Sequence, residues 1–321
     1  MLAFVNFPTW LKPEIIPGLP LRWYGLMYLV AFAIAYFLVR YQVRERKLGV
    51  SDEEILNLFF WAIIGLLIGA RIFATTIYDP TGMYIRKPWL IFWPFNEDMR
   101  FTGLQGMSYH GGVVGILVAA IIYLRAKKFK FFDWADMVVA GIPLGYTFGR
   151  LGNFINGELF GRVTTVSWGM IFPHAQKFPS SKEWVREIAA KAGMDMENLP
   201  RYVNLPRHPS QLYEAFFEGI FLWLVLWFVF RKRKPFDGFV LGIYLIGYGI
   251  LRFFIEYVRE PDIGIGFPLK FSKLENPTYL FVSPWNFTTG QILCFCMIVG
   301  GTAMLLILNW LNKRGKAGSK S

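Results

Sequence analysis

The chain has 321 residues, of which 55% are hydrophobic, 18% aromatic and only 17% charged, and its formal net charge is +12. Because the hydrophobic residues lie in long blocks, this composition indicates a polytopic membrane protein. Sixteen of the 34 basic residues form four clusters beside the blocks, where anionic lipid attracts them, and this placement argues against nucleic-acid binding.

Seven hydrophobic blocks are long enough, or nearly so, to cross a hydrocarbon core that needs roughly 20 helical residues. They cover residues 21–39, 57–78, 110–124, 134–149, 212–230, 238–258 and 288–310. The fourth block has glycines every four residues together with Pro143, which predicts a tightly packed and kinked central helix. The expected fold class is therefore all-α, with seven transmembrane helices and a small extracytoplasmic head domain.

Basic residues predict the orientation of the chain. Clusters follow the first, third, fifth and last blocks, at residues 40–47, 125–130, 231–234 and 313–320. Because basic connections stay in the cytoplasm, the N-terminus is expected outside and the C-terminus inside. The first block has its basic cluster after it, which is the reverse of the order in a signal peptide, so we expect it to stay as a span.

Three parts follow from this topology. Residues 1–161 hold an outer N-terminal segment and the first four spans, 162–207 form the head, and 208–321 hold the last three spans and a basic tail. Within the head, Trp168 to Phe172 has the composition of a strand. The run from Ser180 to Glu183 predicts a capping box that opens a helix ending at Lys191.

A polar, glycine-rich run leaves the fourth block and reads Gly149-Arg-Leu-Gly-Asn-Phe-Ile-Asn-Gly-Glu-Leu-Phe-Gly161. Arg150, Asn153, Asn156 and Glu158 supply charge and amide groups, and the glycines let a ligand's head group approach the backbone. The combination suits an anionic ligand. The alternative is a glycine-rich turn in which Arg150 and Glu158 simply pair with each other.

Other polar residues lie inside or at the ends of the blocks. Arg71 stands within the second block, where an arginine costs roughly 2.5–3.5 kcal/mol, so it must face protein or a wet cavity and have a partner. Arg252, Glu256 and Arg259 are spaced to share one helix face, and an intrahelical ion pair would explain part of this pattern. Cys294 and Cys296 lie two apart and point to different faces, so neither a disulfide between them nor a metal site is expected.

The predicted topology places the unusual polar residues in or just above the outer third of the membrane. They are Tyr24, Arg71, His110, Arg150, Asn153, Glu158, His208, Arg252 and Glu256. Independent structural uses would be spread over both halves of the membrane, so a shared cavity that opens outward is the simpler hypothesis. Three arginines against two carboxylates leave a positive excess suited to phosphate, and an outer-leaflet phospholipid carries a phosphate at this depth.

The run from Gly149 to Gly161 resembles the signature of the phosphatidylglycerol:prolipoprotein diacylglyceryl transferases. Further stretches are similar to that family in the same order along the chain: residues 22–26 (Arg-Trp-Tyr-Gly-Leu), 108–112 (Ser-Tyr-His-Gly-Gly), 207–214 (Arg-His-Pro-Ser-Gln-Leu-Tyr-Glu) and 252–262. The resemblance extends over almost the whole chain. The head at 178–201 and the loop at 263–287 contain none of these similar stretches.

The resemblance implies a bacterial plasma-membrane enzyme that works without a cofactor or metal. Such an enzyme moves the diacylglyceryl group of phosphatidylglycerol onto the thiol of the lipobox cysteine in a prolipoprotein and leaves glycerol phosphate. By this resemblance the predicted catalytic residues are Tyr24, His110, Arg150, Arg252 and Glu256. The residues predicted to bind phosphatidylglycerol are Arg150, Asn153, Glu158, Gly161, His208 and Arg252.

The inventory of side chains suits that chemistry. A free thiol has a pKa of ~8.5, so a base or a positive field is needed to form the thiolate at neutral pH. His110 is the predicted base. Arg150 and Arg252 would contact the phosphate, while Asn153 and Glu158 would orient them. The alternative from another class is a phospholipid-binding transporter or scaffold without chemistry, although transporters usually have repeated halves and a midplane site.

Overall fold

The computed structural model describes residues 4–16, 18, 21–79, 81–95, 99–101, 103, 106–261, 266–272, 279–281 and 283–318. The chain divides into two compact units, one formed by Met1–Ala35 with Ala135–Ser321 and the other by Tyr36–Trp134. Much of the predicted outer loop at 263–287, namely 263–265, 273–278 and 282, lies outside the described residues.

The described part of the chain is mostly helical. Its helices are α1 Trp23–Glu45, α2 Asp52–Thr76, α3 Met83–Arg86, α4 Tyr109–Ala126, α5 Phe131–Val139, α6 Ile142–Ile155, α7 Glu183–Lys191, α8 Ser210–Phe230, α9 Phe239–Ile255 and α10 Thr289–Gly318. A 3₁₀ helix covers Pro88–Phe92, and α8 is π-helical over Glu214–Phe221 and Val225–Phe230.

Five of the helices formed by the described residues are long and apolar enough to cross a membrane, namely α1, α2, α4, α8 and α10. The protein is therefore a polytopic membrane protein, as its composition indicates. The fourth predicted span is divided into α5 and α6, because Pro143 in the first turn of α6 has no N–H to continue the preceding helix. The sixth corresponds to α9, which has 17 residues, so the count of seven spans stays a prediction.

The unit Tyr36–Trp134 is built on the packing of α2 against α4. A Cβ atom at Gly69 or Gly115 would overlap backbone atoms of the other helix, so these glycines let the two helices approach closely. Arg71 in α2 is buried, and its guanidinium donates to the carbonyl oxygens of Ile91 and Gly106. The prediction that Arg71 needs a partner inside the protein is confirmed.

In the larger unit, α6 packs on α8 and α9 packs on α10. A Cβ atom at Gly219 in α8 would overlap the side chain of Thr147 in α6, so glycine is required where these two helices cross. Further along α8, an apolar cluster fills the space between α5, α8 and α9. Its buried members are Val139, Ala140, Leu222, Leu226 and Val240.

The segment between α6 and α8 has its own small core. Strand β3, Phe178–Pro179, pairs antiparallel with β4, Tyr202–Val203, and α7 covers them with Val185 and Ala189, which are fully buried. Strand β2, Met170–Ile171, lies within the predicted strand and pairs parallel with β1, Val5–Asn6. A further pair joins β5, Leu269–Lys270, to β6, Asn286–Phe287.

The predicted capping box of the head is wrong, although the helix it was meant to open is present. Helix α7 begins at Glu183 with Lys182 as its N-cap residue. The backbone N–H and the hydroxyl of Ser180 both donate to the carbonyl of Arg201, at 2.9 and 3.2 Å, because Ser180 follows the strand pair directly. Ser180 therefore stands two residues before the N-cap position and does not cap the helix.

Candidate functional site

The centre of the larger unit is an ion-paired cluster formed by α6, α8 and α9. Arg150 on α6 and Arg252 on α9 approach the same oxygen of Glu214 on α8. Atom Oε2 of Glu214 lies 2.9 Å from Nε of Arg150 and 3.0 Å from Nη1 of Arg252. The Glu214 side chain has no exposed surface, so one buried carboxylate joins the two arginines predicted to hold phosphate.

Glu218 lies one turn further along α8 and is also fully buried. The hydroxyl of Tyr146 donates to Oε2 of Glu218 at 2.6 Å and accepts from Nε of Arg150 at 2.6 Å. The guanidinium of Arg150 also lies 4.7 Å from the centre of the Tyr146 ring. Tyr146 therefore connects Arg150 to a second carboxylate.

The predicted shared helix face is present only in part, because α9 ends at Ile255, Glu256 is its C-cap residue and Arg259 lies beyond it. Atom Nη2 of Arg252 lies 2.9 Å from Oε2 of Glu256, which is the intrahelical ion pair that the spacing predicts. The hydroxyl of Thr288 donates to the other oxygen of Glu256 at 3.1 Å. Arg259, which lies beyond the end of α9, approaches Glu256 at 3.9 Å, so the cluster continues past this helix.

The expected positive excess is absent from this cluster. Among the described residues of this unit, Arg150, Arg252 and Arg259 face Glu214, Glu218 and Glu256, so the formal charges are balanced. Arg71, which the prediction counted, belongs to the other unit. Sequence reasoning missed Tyr146, Glu214 and Glu218 as site residues. Two glutamates four residues apart at the start of an apolar span were a usable signal.

Asn153 lies between the two charges of the signature run. Nη1 of Arg150 donates to the side-chain oxygen of Asn153 at 3.5 Å, and the amide group of Asn153 donates to Glu158 at 3.0 Å. Asn156 donates to the same Glu158 oxygen at 3.2 Å. Within the described residues, Glu158 therefore pairs with two amides, and the alternative of a direct Arg150–Glu158 pair is not observed.

The turn around Glu158 has an unusual backbone. Gly157 and Leu159 on either side of it have φ angles of +66° and +56°, and the second value is unfavourable for a residue with a side chain. The first residues of α8 hold this turn in place. Ser210 donates to the carbonyl of Leu159 at 3.2 Å and Gln211 donates to that of Glu158 at 2.6 Å.

Tyr24 lies at a cavity of about 920 Å³ between the start of α1 and the signature turn. The aromatic ring of Tyr24 packs near Gly152, and its hydroxyl lies 2.9 Å from that of Tyr28. The lining residues are Ile15, Leu21, Arg22, Tyr24, Gly25, Leu26, Leu29, Asn156 and Glu158. Apolar walls with a polar end suit an amphipathic ligand.

Gly161 and His208 meet where the head joins the helices. The backbone N–H of Gly161 donates to the carbonyl of His208 at 2.8 Å, and a Cβ atom at Gly161 would overlap the carbonyl of Val258. Burial, with the nearby charge of Arg162, lowers the pKa of His208 to about 4, so its imidazole is neutral at pH 7. These contacts hold the backbone, and binding of phosphatidylglycerol by either residue stays a prediction.

His110 is exposed at the start of α4, in the unit Tyr36–Trp134. Ser108 caps this helix by accepting from the N–H of Gly111 at 3.1 Å. Nδ1 of His110 lies 3.1 Å from the hydroxyl of Tyr78. When Nδ1 carries the hydrogen and donates to Tyr78, Nε2 keeps the lone pair that a general base needs.

Comparison with known proteins agrees with the signature run. The family model described as prolipoprotein diacylglyceryl transferase matches residues 13–307 of this chain. A phosphatidylglycerol–prolipoprotein diacylglyceryl transferase of Treponema denticola is 53% identical over 98% of both chains, and one of Treponema pallidum is 49% identical over 98% of both. A protein of the same name from Chlorobaculum tepidum is 40% identical over 97% of this chain and 96% of its own.

Proposed function

Because the chain belongs to the prolipoprotein diacylglyceryl transferase family, we propose that it transfers the diacylglyceryl group of phosphatidylglycerol to the lipobox cysteine of a prolipoprotein. A thiolate sulfur attacks the glycerol carbon that bears the phosphate ester. The carbon–oxygen bond breaks as the carbon–sulfur bond forms, and glycerol phosphate leaves with the electron pair. The products are a thioether-linked lipid and a free glycerol phosphate, and the proton of the thiol passes to a base.

The main support for this proposal is that Arg150 and Arg252 contact the same buried carboxylate. Both guanidinium groups lie within 3.0 Å of one buried Glu214 oxygen, and the Arg150 side chain keeps 17% of its surface exposed. Planar guanidinium groups bind phosphate oxygens through two parallel hydrogen bonds. Held in a protein interior, they stabilise the negative charge that grows on the departing phosphate.

The remaining predicted residues receive supporting roles. His110 is proposed as the base that removes the thiol proton, with Tyr78 holding its imidazole. Asn153 and Glu158 would orient Arg150 and the lipid head group through the amide contacts of the turn. Tyr24 would contact the substrate in the cavity beside Glu158, and Glu256 would fix Arg252. Gly161 and His208 would shape the lipid site by holding the backbone where the head meets α8.

The membrane arrangement proposed here has seven spans, with the pair α5 and α6 forming the fourth and α9 the sixth. The support for its orientation is the alternation of basic clusters along the chain. In this arrangement the N-terminus, the head at 162–207 and the site are extracytoplasmic, and the C-terminus is cytoplasmic. The membrane is the bacterial plasma membrane, which contains both substrates.

Incubation of the purified protein with phosphatidylglycerol vesicles and a lipobox peptide tests the function. The mass of the peptide should increase by one diacylglyceryl group, and a peptide with serine in place of cysteine should stay unchanged. Arg150→Lys and Arg252→Lys keep the charge but remove the planar group, so we expect at least roughly tenfold lower turnover in correctly folded variants. Wild-type turnover in both lysine variants would show that the arginines only form structural ion pairs.

A further inference from the structure

We propose that Tyr146, Glu214 and Glu218 are positioning residues that hold Arg150 and Arg252 side by side for the phosphate of the lipid substrate. The inference rests on the proposed function, since it concerns the substrate of that reaction. None of the three residues was predicted as a site residue from the sequence. Each of them acts through an arginine.

The five side chains form a closed ring of contacts. Arg150 donates to the hydroxyl of Tyr146, which donates to Glu218, and Glu218 lies 3.6 Å from Nη1 of Arg252. The same Nη1 atom lies 3.0 Å from Glu214, and the Glu214 oxygen returns to Arg150 at 2.9 Å. Each guanidinium group therefore contacts two members of the ring.

The side chains of the ring differ in how deeply they are buried, and this difference gives them different roles. The side chains of Glu214 and Glu218 have no exposed surface, and a substrate therefore does not reach them in this state. Buried carboxylates are costly unless cations and hydrogen bonds compensate them. Here the compensating cations are Arg150 and Arg252, so the two glutamates and the two arginines determine each other's positions.

The arginines would separate without this ring. They come from different helices, and two like charges in a medium of low dielectric repel each other. Glu214 compensates both charges at one oxygen, while Tyr146 turns the Nε edge of Arg150 toward the protein. The terminal nitrogens of Arg150 donate a single long hydrogen bond, at 3.5 Å to Asn153, among the described residues. That edge is the part left for a phosphate.

Gly219 explains why the ring closes. It follows Glu218 directly, and it packs against Thr147, the residue after Tyr146. Thr147 also donates to the carbonyl of Ala215 at 3.2 Å. Helices α6 and α8 therefore approach each other closely beside the contact between Tyr146 and Glu218.

Tyr146→Phe is the most direct test, because it removes one hydroxyl and keeps the ring and every charge. We expect kcat/KM for phosphatidylglycerol to fall about tenfold or more, since two hydrogen bonds to charged groups are lost. The KM for the lipobox peptide should stay unchanged. Tyr202→Phe, at an exposed tyrosine of β4, is the matched control and should keep wild-type kinetics.

Glu218→Gln distinguishes positioning from simple charge. Removing one buried negative charge leaves the cluster more positive, so charge alone predicts a lower KM for an anionic lipid. Positioning predicts the opposite, a higher KM for phosphatidylglycerol and a lower kcat. A Glu218→Gln protein that binds this lipid more tightly with unchanged kcat would overturn the inference.

A double variant tests whether Tyr146 acts through Arg150. In an Arg150→Lys background, Tyr146→Phe should cause less than a twofold further loss, because the group it positions is already gone; a fully additive loss would contradict the inference. Thermal unfolding of each variant identifies any that fail to fold. A wild-type protein that binds the lipid but makes no product would refute the proposed function, whereas an active wild type with unaffected Tyr146→Phe and Glu218→Gln variants would refute only the positioning role.

Discussion

Two kinds of residue carry the proposed reaction: arginines that bind the phosphate and an imidazole that accepts the thiol proton. The arginines are fixed by buried carboxylates, as in the ring around Glu214. The imidazole of His110 is exposed, and its Nδ1 atom lies 3.1 Å from the hydroxyl of Tyr78. An exposed base can meet a substrate that arrives from outside the protein, whereas the phosphate site needs a fixed interior geometry.

His110→Gln should lower turnover roughly 100-fold or more at neutral pH if His110 is the base. Raising the pH should recover part of this loss, because the peptide thiol then ionises without help. Tyr78→Phe should cause a smaller loss with a similar recovery, since it removes the partner of Nδ1 and keeps the imidazole. Rates measured from pH 6 to 9 provide the check. A His110→Gln defect that does not change with pH would rule out the base assignment.

His208 should make the protein sensitive to acid. Its pKa is lowered from 6.5 to about 4 by burial and by the charge of Arg162. Between these two pH values the unfolded chain binds a proton that the folded protein does not, so stability falls as the pH is lowered through this range. In His208→Gln the difference in melting temperature between pH 7.5 and 4.5 should be smaller. The exposed His174→Gln is the control, and an unchanged difference in His208→Gln would contradict the explanation.

A sequence motif predicts candidate site residues within it. Contacts between distant helices have no comparable signal in the sequence. The signature run indicated Arg150, Asn153 and Glu158 as site residues, although the order of their contacts needed the structure. Glu214 and Glu218 were missed because they stand at the start of an apolar block, far in sequence from the arginines they hold. Counting charged residues along the chain therefore predicted an excess of positive charge, which the ion-paired cluster does not have.

At the scale of helices, glycines decide how closely the elements pack. Gly219→Ala should lower the melting temperature and the turnover together, because the added methyl group would overlap Thr147 beside the arginine cluster. Overpacking of this kind costs roughly 1–3 kcal/mol. Gly300→Ala in α10 is the matched control, since nothing lies within 4 Å of a Cβ atom there. Equal stability of both variants would show that the crossing of α6 and α8 tolerates a larger residue.

Element boundaries followed from the sequence where the local chemistry decided them. Pro143 indicated a disturbed central helix, and the structure has a complete break between α5 and α6. The head helix was predicted, but its first residue was misplaced because Ser180 serves the strand pair instead of the helix. Pairing between distant segments, such as β1 with β2, has no signal in a local pattern.

The orientation of the whole molecule in the membrane can be tested separately from its activity. Single cysteines at positions 182 and 232 would be introduced by Lys182→Cys and Lys232→Cys, in a background that carries Cys294→Ala and Cys296→Ala. A membrane-impermeant thiol reagent added to intact cells should label position 182 in the head and leave position 232 in a basic connection unlabelled. The reverse pattern would overturn the orientation.

The stoichiometry of the two products tests the proposed transfer reaction directly. Purified protein, phosphatidylglycerol vesicles and a lipobox peptide are combined, and thioether-linked peptide and glycerol phosphate are quantified in the same sample over time. Both products should appear in a one-to-one ratio, and neither should form when the peptide thiol is blocked. Binding of phosphatidylglycerol without either product, under conditions where the protein is folded, would contradict the proposed reaction and favour a phospholipid-binding transporter or scaffold.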